Sequence, residues 1–74
     1  MADTVRSMLA AARRRLRDAD VGDEALDARL LLQRATGLSH SDIVADPDTE
    51  IAAEAAQVFE VLVRRRLAFE PVSR

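Results

Sequence analysis

The sequence predicts an all-α fold, a small bundle of four to five helices at about 3–18, 23–36, 39–45 and 49–68, built around the second. Three observations lead there. Fourteen alanines stand against two glycines in 74 residues, a composition that favours helix. Apolar residues recur with a helical period in three long stretches. Each stretch is bounded by residues that start or stop helices, such as Asp23 before the second and Gly37 after it. Only Phe59 and Phe69 are aromatic, so the core is expected to be aliphatic.

The first helix starts at Asp3 or Thr4, either of which can accept hydrogen bonds from the free amides of the first turn. Val5, Met8, Leu9, Ala12 and Leu16 form a single apolar stripe along it. Arg13, Arg14, Arg15 and Arg17 crowd its last turns, where cations complement the negative end of the helix dipole. The same cluster is a candidate partner or phosphate contact.

The connector DADVGD follows, with Gly22 free to take a positive φ and Asp23 placed to cap the next helix. That central helix carries apolar residues on two sides. Ala28, Leu31, Leu32 and Ala35 make one stripe, and Leu26 and Leu30 make a second nearly opposite it. A surface helix needs one stripe, so two imply neighbours on both sides, the first helix against one and the last against the other. Gly37 ends the helix. Ser39 and Asp42 resemble a capping box for a short third helix, anchored by Ile43 and Val44.

DPDT at 46–49 reads as a turn, and Asp48 or Thr49 as the cap of the last helix. Ile51, Ala55, Val58, Phe59, Leu62 and Val63 form its apolar face. In the triplet Arg64-Arg65-Arg66, Arg64 points to solvent and Arg66 falls inside the apolar sector. A guanidinium there is costly unless it meets an acid or reaches water. Asp27 has the matching problem between Leu30 and Leu31. Asp27 is therefore expected to pair with Arg66, or with Arg65 if the helical wheel is off by one. After Ala68, Pro71 pushes Glu70 toward an extended conformation. Residues 1–68 are thus expected to be the bundle domain, and 69–74 the start of a linker that leads onward.

The chemistry excluded is broad. The net charge of −2 argues against a dedicated nucleic-acid binder, although Arg13–Arg17 and Arg64–Arg66 are the clusters that would serve one. No apolar run approaches the roughly 18 residues of a membrane span. There is no cysteine for a disulfide or thiolate site, and His40, the only histidine, has no second ligand at metal spacing. Asp18, Asp20, Asp23 and Glu24 lack the spacing of an EF-hand and read as solvated acids. Gly22 and Gly37 stand alone, so there is no Gly-rich cofactor loop. No catalytic, cofactor-binding or metal residue is expected in this chain.

Three pieces in order carry a resemblance: Asp27-Ala28-Arg29-Leu30-Leu31-Leu32 with Ala35-Thr36-Gly37-Leu38, then Arg64 to Arg66, then Glu70-Pro71-Val72-Ser73-Arg74. This pattern resembles the N-terminal domain of the peptide chain release factor glutamine methyltransferases, the HemK/PrmC family. The resemblance implies a two-domain cytoplasmic parent, with this helical domain joined to a Rossmann-like catalytic domain. That domain binds S-adenosylmethionine and methylates a glutamine side-chain amide in release factors. Its Asn-Pro-Pro-Tyr motif is absent from this chain. Phe69 stands where the family has glycine before Glu-Pro, and it is placed either to cover the bundle end or to pack on the other domain. The implied role is to hold the release factor, a protein partner, against the catalytic domain, the domain itself being monomeric and not in direct contact with nucleic acid or membrane. Arg13, Arg14, Arg17 and Arg64 are the candidate partner surface. The alternative is a stand-alone helical protein–protein interaction module.

Overall fold

A computed structural model describes residues 3–20 and 22–69. The expectations for residues 70–74 and for the packing of Phe69 lie outside what it describes. Four helices are present, α1 Val5–Asp18, α2 Glu24–Thr36, α3 His40–Ala45 and α4 Ala53–Phe69. A two-residue antiparallel ribbon joins β1, Asp3–Thr4, to β2, Glu50–Ile51, in the register Asp3 with Ile51 and Thr4 with Glu50. The protein is a small all-α bundle, and α2 packs against both α1 and α4.

The helix starts follow from local chemistry. Thr4 caps α1 in a reciprocal box with Ser7, and Ser39 does the same for α3 with Asp42. The Asp23 carboxylate accepts from the Leu26 amide at the head of α2. Gly37 closes α2 at φ 81°, a left-handed conformation that favours glycine, and its amide donates to the Gln33 carbonyl.

The ribbon moves the start of the last helix. Val5 and Arg6 are in the first turn of α1, where amides have no intrahelical acceptor. They donate instead to the carbonyls of Thr49, at 3.0 Å, and Pro47, at 2.8 Å. The turn at 47–48 and the strand at 50–51 are held by that duty and by pairing with β1, so α4 begins at Ala53 and not at 49. Neither Asp48 nor Thr49 caps it. The Thr49 hydroxyl donates to the Asp46 carbonyl, the Asp48 amide donates to the Asp46 carboxylate, and the first α4 carbonyl acceptor is Ala52.

The core is aliphatic apart from Phe59. Val5, Met8, Ala12 and Leu16 come from α1, Ala28 and Leu32 from α2, Ile43 from α3, Ile51 from β2, and Phe59 and Val63 from α4. The expected second stripe of α2 is not covered, since Leu26 is 41% and Leu30 49% exposed. The reason is geometric. The helices α1 and α4 also touch each other, Arg15 hydrogen-bonding Glu60 between them. Both neighbours therefore lie toward the same side of α2, and one broad apolar face serves both. Val44 and Val58 are likewise exposed, which leaves Ile43 as the anchor of α3 and narrows the buried face of α4.

Candidate partner-binding surface

Two groups of charged residues lock the bundle, and a third set is left for solvent or a partner. At one end of α2, the Asp27 Oδ2 accepts from both Nε and Nη2 of Arg66, at 3.2 and 3.0 Å. The side chains are only 20% and 33% exposed, and Arg65 is turned to solvent. The connector between α1 and α2 crosses directly over this pair. Gly22 sits at φ 47°, and a Cβ there would meet Arg66 Nη2 at 3.1 Å and Asp27 Oδ2 at 3.3 Å. Glycine suits this point by its left-handed conformation, and without a Cβ it leaves the ion pair undisturbed.

On the opposite flank Glu60 receives Arg15 from α1 at 2.8 Å and Arg64 from its own helix at 2.9 Å. The Arg15 hydrogen bond, aided by Arg64 and opposed by desolvation, holds the Glu60 carboxyl below its ordinary value. The remaining pair, Arg6 with Asp48, is largely exposed and supports the 46–49 turn.

These contacts sort the arginines of the candidate surface. Arg64 is tied to Glu60, although its side chain stays 73% exposed. Arg13, Arg14 and Arg17 are exposed on α1 and meet no acid among the described residues. Arg13 opens onto a groove that sequence reasoning missed. Leu9 and Arg13 of α1, Asp23, Leu26 and Arg29 of α2, and His40, Ile43 and Val44 of α3 line it. The guanidinium of Arg29 donates to Nδ1 of His40 across the groove, since an arginine can only donate. The sequence signals were Leu26 and Val44, apolar residues off the main stripe, but their use as a floor depends on how α3 folds back on α2. Among the described residues no three His, Asp or Glu side chains gather in a metal-holding group, and no helix is long and apolar enough to cross a membrane.

The family described as the PrmC N-terminal domain matches residues 7–74. This chain belongs to that family. A release factor glutamine methyltransferase from Caulobacter vibrioides is 41% identical over 63 residues, which is 85% of this chain and 22% of that protein. One from Agrobacterium fabrum is 39% identical over 71 residues, 96% of this chain and 25% of its own length. This PrmC-type domain thus spans about a quarter of the relatives it matches. No solved structure matches it significantly.

Proposed function

We propose that this domain is the substrate-orienting part of an S-adenosylmethionine-dependent enzyme that methylates a glutamine side-chain amide in peptide chain release factors. The observation that carries the reading is the match of nearly the whole chain to one quarter of release factor glutamine methyltransferases. The donor supplies the methyl group in the parent enzyme. This chain has no Gly-rich loop for it, its two glycines serving a helix end and the cover of an ion pair. No step of the transfer is therefore assigned to these residues, and the domain is non-catalytic alone.

Its contribution is positional. A second contact raises the effective concentration of the target glutamine at the catalytic domain, by about 10²–10⁴ when geometry allows both contacts together. It also removes orientational freedom before the chemical step. The partner is a protein, the setting cytoplasmic, and the domain works as a monomer beside its own catalytic domain. Deleting residues 1–69 from the full enzyme is expected to lower kcat/KM for intact release factor about a hundredfold. A short glutamine peptide is expected to react at an unchanged rate. Equal rates on intact release factor with and without the domain overturn the reading.

A further inference from the structure

We infer that the groove between α1, α2 and α3 is the face that receives the protein substrate, and that it takes an acidic segment bearing apolar side chains. This rests on the substrate-orienting role proposed above and says where and by what chemistry the contact is made.

The floor is aliphatic. Leu9 and Ile43 reach it from the core, and Leu26 and Val44, 41% and 66% exposed, stand at its edges. Exposed aliphatic residues scattered singly need no explanation, but these two border the same concavity, about 420 Å³ in volume. The rim is cationic. Arg13 meets no acid among the described residues, and Arg29 points its guanidinium at His40 and not at a carboxylate. Asp23 is the one acid of the lining, and its carboxylate is engaged by the Leu26 amide. In a chain of net charge −2, two arginines without an acid partner thus flank one apolar hollow.

The contrast with the rest of the surface favours this face. Arg6, Arg15, Arg64 and Arg66 are all occupied by carboxylates of the same chain. The exposed side of α4 carries Val58 and Val61; its Arg64 is engaged by Glu60, and Arg65, which meets no acid among the described residues, does not line this hollow. An incoming carboxylate gains most where a guanidinium has no partner to lose, and a planar guanidinium suits a bidentate carboxylate contact. Aliphatic anchors in the hollow, ringed by such charges, have the anatomy of a binding site with a desolvated centre.

The test is a titration of the isotope-labelled 74-residue chain with purified release factor at low and physiological salt, followed by amide chemical shifts. Val44→Glu and Arg13→Glu place an acid at the floor edge and the rim, and both positions are exposed, so the fold is retained and the spectrum verifies it. Arg64→Glu is the control away from the groove. The wild type is expected to shift amides of Leu26, Arg29 and Val44, with binding weakened by salt. Each groove variant is expected to lose about tenfold in affinity, and Arg64→Glu less than twofold. Binding that survives both groove variants and fails in Arg64→Glu overturns the assignment of the face while leaving the recognition role intact. A wild-type chain that shifts nowhere with release factor overturns the recognition role and this inference together.

Discussion

The two sides of α2 are made of the same residue types and have opposite fates. On the inner side Leu32 and Ala28 are fully buried between α1 and α4. On the outer side Leu26 and Leu30 remain about half exposed. Asp27 sits at the border, its carboxylate closed off by Arg66 and by the backbone of Gly22. The difference shows that burial in a bundle this small is set by where the neighbours stand and not by the hydrophobicity of each stripe. The inner side makes the fold. The outer side is free to be used.

That division can be broken or sharpened by substitution. The largest effect is expected at Leu32→Ala, which leaves a cavity between all three long helices and costs about 2–5 kcal/mol. In a domain whose total stability is of order 5 kcal/mol, this unfolds much of the population at 37 °C, read by circular dichroism. Asp27→Ala comes next. It strands a guanidinium that is two-thirds covered, at a cost of about 1–2 kcal/mol once partial exposure is allowed for. A melting temperature equal to wild type would make the pair ornamental, and a folded variant that fails to bind would move Asp27 to the functional side of the border.

A smaller, pH-dependent effect belongs to Glu60. Its carboxyl titrates lower in the folded chain than in the unfolded one. The stability it contributes is therefore complete above its ordinary value of 4.5 and is lost as pH falls through the lower folded value. Thermal melts of wild type and Glu60→Gln from neutral pH to about pH 3 should converge at the acid end. The smallest effect on stability is expected at Leu26→Ala, within about 0.5 kcal/mol. The same variant should weaken release factor binding, and a large loss of stability there would show that the outer stripe is covered after all.

Much of this arrangement is visible in the residue pattern because it is local. Thr4 with Ser7, Asp23 with Leu26, Ser39 with Asp42 and the left-handed Gly37 are fixed by neighbours three or four residues away. Asp27 and Arg66 each interrupt an apolar sector, and two such interruptions on facing helices are a signal in themselves. The ribbon and the delayed start of α4 carry no such signal. Two extended residues have no period, and the acceptors that hold 47–51 serve amides at the far end of the chain. The groove is illegible for a related reason. Leu26 is equally apolar in either role, and only the placement of α1 and α3 turns its side of the helix into the edge of a hollow rather than the wall of a core. Arg29 and His40 stand eleven residues apart, on different helices, and meet only after the turn at Gly37 has been made.

The ribbon has a consequence in time. Each helix closes through contacts a few residues apart, whereas pairing Asp3 with Ile51 requires about two-thirds of the chain to come together first. The ribbon is therefore the last part to assemble and the first to open. Its opening releases the amides of Val5 and Arg6 from their distant carbonyls and lets the first turn of α1 fray. Leu9 and Arg13 lie one and two turns further along, so fraying stops short of the groove. Hydrogen exchange should run fastest at the start of α1 while the amides of Leu9 and Arg13 remain protected.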